Sequence, residues 1–206
     1  LNKSNSTFYK DIISLESSSN ILIDLDLNLI KKKYWRPKLN IDQNMSLNDA
    51  VSGVKLKLTK SLELRMRSDV PIAFCLSGGV DSALLASHAK KTFGKEISTF
   101  SIIDKDPRYD ESENLRYIIN DLKCKHELIK INNSEDIFFD RLKMLTEYHD
   151  GPIATLSYYI HSFLSENISK NDYRVAISGT GADELFTGYY DHFLLHFEAL
   201  KGTKYL

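Results

Sequence analysis

The chain has 206 residues, 42% hydrophobic and 27% charged, a make-up that fits a folded globular chain and excludes collagen-like or disordered classes. Lys plus Arg number 27 against 28 Asp plus Glu, so a net charge of -1 leaves no global positive field for holding nucleic acid through its phosphates. Two cysteines, Cys75 and Cys124, are too few for a disulfide framework and suit a reducing, cytoplasmic setting, and neither a membrane-length apolar run nor a signal-peptide pattern is present.

Residues 1–20 are rich in Ser and Asn and aperiodic, which predicts a loose arm. Ile21, Ile23, Leu25, Leu27 and Leu29 alternate with Asp24, Asp26 and Asn28, the two-residue period of one half-buried strand. The basic run Lys31 to Lys33 reads as a solvated link leading to Tyr34-Trp35-Arg36-Pro37. Ser46, with Asp49 three residues on, caps a helix whose Leu47, Val51, Val54, Leu58 and Leu62 recur at helical spacing and which ends before Pro71. Ile72-Ala73-Phe74-Cys75-Leu76 follows as an unbroken apolar run, the mark of a strand buried on both faces in a parallel sheet.

Strand and helix then alternate. Helices are expected over about Ser82 to Lys91, Glu111 to Leu122, Ile137 to Tyr148 and Thr155 to Ile168, with strands at Ile97 to Ile103, Glu127 to Ile131 and Arg174 to Ser178. This order predicts an α/β fold with a doubly wound, mostly parallel sheet. The division expected along the chain is an N-terminal arm and linker segment over 1–45 and one α/β domain, carrying the loops described next, over 46–206.

Ser77-Gly78-Gly79-Val80-Asp81-Ser82 stands where the first core strand hands over to a helix. Two glycines allow a tight turn close to an anion, the helix N-terminus directs N–H groups toward it, and Ser77 and Ser82 add hydroxyls. An aspartate inside a phosphate cradle calls for a divalent cation between the two charges, which makes Asp81 a magnesium ligand. The loop lacks the Gly-Lys-Ser/Thr ending of a Walker-type loop, and Lys90 and Lys91 lie about 12 to 14 Å along the helix.

Ser178-Gly179-Thr180-Gly181-Ala182-Asp183-Glu184 repeats the theme after a later strand. If the two strands are neighbours, both loops face one pocket at a switch in strand order, and Asp183 shares the metal with Asp81. Gly179-Thr180-Gly181 starts like a dinucleotide fingerprint, but Glu184 stands where the third glycine belongs. Cys75 in a buried strand and Cys124 near a helix end do not make a reactive thiol pair, and His192 with His196 reads as a helix face rather than a metal site.

The first loop resembles the pyrophosphate loop of the ATP pyrophosphatases, and with the Ser178 to Tyr189 stretch the chain resembles the synthetase domain of glutamine-dependent asparagine synthetases. Tyr34 to Pro37, Ser68-Asp69-Val70-Pro71, Tyr109-Asp110-Glu111-Ser112 and Asp150-Gly151-Pro152 agree with it. The resemblance implies a Rossmann-like three-layer sandwich of the adenine nucleotide alpha hydrolase type. It implies a ligase in which a substrate carboxylate attacks the α-phosphorus of ATP, pyrophosphate leaves, and ammonia converts the acyl-adenylate to an amide. By the same resemblance Leu76, Ile102, Ser178 and Gly179 join Ser77, Gly78, Gly79, Asp81 and Ser82 in binding ATP. Asp81 and Asp183 hold Mg2+, Thr180 stands at the reacting carboxyl, and a homodimer is the expected assembly.

The acceptor the resemblance implies is aspartate or an analogue; because the family carries a glutamate at the position of Thr180, a sugar uronate amidated for surface polysaccharide stands as the alternative. A nucleotide-binding module without chemistry is a further alternative. The resemblance also implies that ammonia comes from a glutaminase domain starting with a catalytic cysteine, which Leu1 does not supply. The chain is therefore expected to be the nucleotide half of a larger amidotransferase.

Overall fold

The apolar run after Pro71 forms β3 (Ile72–Cys75), the middle of a parallel sheet in which Ala73 and Phe74 are almost wholly shielded from solvent. The structure is a computed structural model that describes residues 5–38, 40–42, 44–103, 110–131 and 135–201; Tyr109 of the Tyr109-to-Ser112 stretch lies outside these. The described chain separates into two compact units, Leu1–Val51 and Ser52–Leu206.

In the first unit the expected single strand is instead an antiparallel hairpin of β1 (Ser19–Ile23) and β2 (Leu29–Lys33), with Ile23 opposite Leu29. The cause is Asp24. Its carboxylate accepts hydrogen bonds from the backbone N–H of Asp26 (3.0 Å) and Asn28 (2.9 Å) and from the Asn28 amide (2.9 Å), while Leu27 takes φ +63°. An aspartate that bonds its own following backbone makes a turn and outweighs the alternation around it. The basic run is β2 rather than a link, and the hairpin's Ile21, Leu22, Ile23, Leu29 and Ile30 are exposed rather than half-buried. Ser46 does cap α1 (Leu47–Arg65): the Asp49 N–H donates to its hydroxyl at 3.2 Å, and that hydroxyl donates to the Asp49 carboxylate at 2.6 Å.

The second unit alternates as its sequence predicts, through α2 (Val80–Phe93), β4 (Ser98–Ile102), α3 (Ser112–Leu122), β5 (Lys125–Ile129), α4 (Glu135–Tyr148), α5 (Leu156–Lys170), β6 (Val175–Ile177), α6 (Ala182–Phe186) and α7 (Tyr190–Leu200). The sheet order is β5-β4-β3-β6, every pair parallel. Successive β3 side chains take opposite faces, as strand geometry requires. Phe74 packs among Leu62, Ala86, Ala89, Leu115 and Leu122 from α1, α2 and α3, while Ala73 packs among Leu145, Tyr159 and Phe163 from α4 and α5. Helices thus cover both faces of the sheet, giving three layers and the α/β fold read from the sequence. Strand order reverses between β3 and β6, where Ile72 pairs with Val175 and Phe74 with Ile177. Among the described residues no helix is long and apolar enough to cross a membrane.

Candidate functional site

At the carboxyl end of β3 the Leu76 N–H donates to the Phe100 carbonyl at 2.9 Å, one residue past the strand, and the buried Ser101 hydroxyl donates to the Leu76 carbonyl. The next residues are held by serine hydroxyls. The Ser77 N–H donates to Ser82 Oγ at 3.0 Å, the two hydroxyls lie 2.9 Å apart, and the Gly79 N–H donates to Ser77 Oγ at 3.2 Å. α2 then starts with Gly79 as its N-cap and no side chain capping it. Its first-turn N–H groups are left for an anion from outside, which is the arrangement a phosphate needs. The Gly78 N–H is committed elsewhere, donating to the Glu111 carboxylate at 2.9 Å.

The second loop crosses from β6 to the five-residue α6 through Gly181 at φ +99°, a conformation suited to glycine. Gly179 lies directly on the start of α2: a Cβ there would stand 2.9 Å from the Ser82 nitrogen and 3.0 Å from Asp81 Cβ. Only a residue without a side chain lets the two loops touch backbone to backbone. Gly188 does the same for Asp183, since a Cβ would fall 1.8 Å from its Oδ1. Ser178 Oγ donates to Thr180 Oγ1 at 3.0 Å, so the threonine hydroxyl is already engaged. The Tyr189 hydroxyl donates to Glu184 at 2.6 Å; this bond holds the Glu184 carboxyl below its ordinary range and pushes the Tyr189 phenol above its own.

Both loops open onto a cavity of about 850 Å³. Of the sequence-nominated residues, Leu76, Ser77, Gly79, Asp81, Ser82, Ile102, Ser178, Gly179, Thr180 and Asp183 line it, and Gly78 does not. Asp81, in the first turn of α2, and Asp183, in α6, both line this cavity. Two carboxylates suit magnesium, which commonly takes one or two from protein and fills its remaining positions with phosphate oxygens and water. Among the described residues no set of three or more His, Cys, Asp and Glu forms a metal cage. The donor set therefore fits a magnesium carried with a phosphate ligand.

Other lining residues were not nominated from the sequence: Phe100, Leu128, Ile131, Ile160 and Leu164 add apolar surface, and Lys130 and His161 add polar side chains. The signal available for them was positional, since ligands in open α/β sheets gather beyond the carboxyl ends of the strands, where Ile103 and Lys130 stand. Cys75 also faces the cavity; burial pushes its thiol up, so it stays protonated and is a poor nucleophile at neutral pH.

Residues 53–204 match the family model described as asparagine synthase. A putative glutamine-hydrolysing asparagine synthetase 2 of Methanocaldococcus jannaschii is 28% identical over 187 residues, 90% of this chain and 36% of that protein. Asparagine synthetase 1 (glutamine-hydrolysing) of Bacillus subtilis is 29% identical over 184 residues, 89% of this chain and 28% of that protein. The chain thus spans about a third of the length of these relatives. Among solved structures, the ammonia-dependent NAD synthetase of Campylobacter jejuni superposes with a TM-score of 0.45 at 20% identity, over 67% of this chain and 60% of that one.

Proposed function

The chain belongs to the asparagine synthase family, and from that membership we propose that it is the ATP-handling part of an amide-forming ligase fed with ammonia from glutamine. The observation that carries the reading is the meeting of two glycine loops at one cavity, with Gly179 pressed on the first turn of α2 and Asp81 and Asp183 both in the lining. On this reading the triphosphate of ATP lies against the start of α2, and the base lies against the apolar part of the lining, to which Leu76, Ile102 and Ile160 contribute.

The chain's own groups account for the leaving-group chemistry. The uncapped N–H groups at the start of α2 face the β- and γ-phosphates, and their dipole favours the negative charge that builds on pyrophosphate as the α-phosphorus is attacked. The serine bonds hold those donors in place before substrate arrives, so little reorganisation accompanies the step. Magnesium bound through Asp81 and Asp183 would neutralise phosphate oxygens and so reconcile two carboxylates with a polyphosphate. The remaining residues orient: Ser178 and Gly179 approach the nucleotide from β6, and Thr180 lies beside the acceptor acid.

Thr180 also favours a particular acceptor class. A hydroxyl bonded to Ser178 is not a general base at neutral pH and carries no charge to attract an ammonium group on the acceptor. An acid lacking an α-amino group, such as a sugar uronate, fits that position better than aspartate does. The test is pyrophosphate release from ATP by the chain supplied with magnesium, ammonium and a panel of aspartate and uronic acids. Release with a uronate and not with aspartate is the expected result. Release with no acid present, or with none of the panel, contradicts the acceptor reading.

A further inference from the structure

Glu111 belongs to the Tyr109-to-Ser112 stretch and opens the expected third helix, and its carboxylate reaches across 33 positions in the chain to the first loop. It accepts the Gly78 N–H at 2.9 Å. It does not serve its own helix: α3 starts one residue later with no side chain capping it, and the Ser112 N–H is taken by Asp110 at 2.9 Å instead. The backbones are equally close. A Cβ on Gly78 would stand 2.5 Å from Glu111 Cβ, 2.8 Å from the Glu111 carbonyl oxygen and 3.1 Å from Asn114 Cβ, so glycine at 78 is what lets the loop lie against the start of α3.

This contact divides the loop. Ser77, Gly79, Asp81 and Ser82 line the cavity while Gly78 alone of the stretch's glycines does not. Its N–H is the one that Glu111 holds. A flexible diglycine turn has several conformations of similar energy, because glycine enters both signs of φ freely. Fastening one of its two N–H groups outward selects the conformation in which the following N–H groups, on the first turn of α2, face the cavity. The contact its carboxylate makes is with the loop backbone, at the Gly78 N–H.

We propose that Glu111 is a positioning residue for pyrophosphate: its carboxylate, with glycine required at 78, sets the loop in the form that binds the leaving group. This rests on the reading of the cavity as an ATP site. Because an amide oxygen also accepts, Glu111→Gln keeps the bond and loses only the charge, whereas Glu111→Ala loses the bond. Two measurements separate the possibilities: binding of magnesium pyrophosphate by calorimetry, and solvent exchange of the Gly78 amide by NMR in the free chain. The expected result is binding about tenfold weaker in Glu111→Ala, from loss of the hydrogen bond that sets the loop, with loss of Gly78 amide protection. Glu111→Gln should stay within about twofold of the unsubstituted chain in affinity and retain protection. Unchanged binding in Glu111→Ala, with the unsubstituted chain binding normally, overturns the positioning role and leaves the ATP reading intact. Equal losses in Glu111→Ala and Glu111→Gln overturn it as well, since the charge and not the bond would then matter. No binding by the unsubstituted chain overturns the ATP reading and this inference with it.

Discussion

The two loops at the cavity have similar compositions and unlike construction. The first is fastened at nearly every position: Ser82 is buried and bonds Ser77, Glu111 holds Gly78, and a 14-residue helix follows, packed through Ala86 and Ala89. The second leads into a helix of five residues with none buried, bounded by positive φ at Gly181 and Thr187. Buried contacts set how much free energy a local opening costs, so the first loop is the rigid partner and the second the adaptable one. That difference suits the roles proposed for them. Pyrophosphate is the same for every member of an ATP-cleaving family, while the acceptor acid varies, and the loop carrying Thr180 is the one with fewer constraints on its backbone.

Substitutions where the two loops meet give the largest expected effects. Asp81→Asn should lower magnesium-dependent pyrophosphate release by about two to three orders of magnitude with the folded state retained, as a metal ligand in a partly exposed position requires; a stopped assay of labelled pyrophosphate reads it. Gly179→Ala places a methyl 2.9 Å from the Ser82 nitrogen and pushes the loops apart. The expected cost is about 1 to 3 kcal/mol of stability by denaturant titration, with activity falling further than stability explains. If the second loop is as adaptable as its construction implies, most of that displacement falls there.

Gly188→Ala sharpens the comparison at lower amplitude. The added methyl meets the Asp183 carboxylate, a movable group, so folding should be close to unchanged while the magnesium concentration for half-maximal release rises several-fold. Ser82→Ala removes the acceptor for the Ser77 N–H inside the rigid loop and should cost about 1 to 2 kcal/mol in thermal or chemical unfolding. The smallest effect is remote from both loops. Burial pushes the His126 pKa down, partly offset by Glu127, and its Nδ1 lies 2.9 Å from the buried Thr99 hydroxyl. A histidine kept neutral in the fold contributes stability above its ordinary pKa, near 6.5, and loses it as pH falls toward the depressed folded value. Stability should therefore decline as pH falls from neutral through the ordinary histidine range, and His126→Gln should flatten that slope.

Much of the second unit was legible because its signals are local. An unbroken apolar strand, two glycines and an uncapped helix start identify the first loop from a dozen residues, and the parallel sheet follows from the alternation of elements. What sequence could not supply depends on a single side chain or on neighbours distant along the chain. Asp24 turned one expected strand into a hairpin through hydrogen bonds that an alternating pattern does not reveal. Lys130 and His161 both line the cavity, from β5's end and from α5, separated by 31 positions, and neither lies in a motif. Glu111 is in a motif, yet its acceptor role needed the approach of α3 to Gly78.

The claim that organises the site is that Asp81 and Asp183, one from each loop, serve one metal. A double-mutant cycle on ATP binding tests it most directly: affinities with and without magnesium for the unsubstituted chain, Asp81→Asn, Asp183→Asn and the double variant. Two ligands of one ion should behave as a unit, so each single variant should abolish most of the magnesium-dependent gain and the double variant should lose little more. Losses that simply add, or a magnesium dependence that survives in either single variant, would contradict a shared metal and the proposed function built upon it.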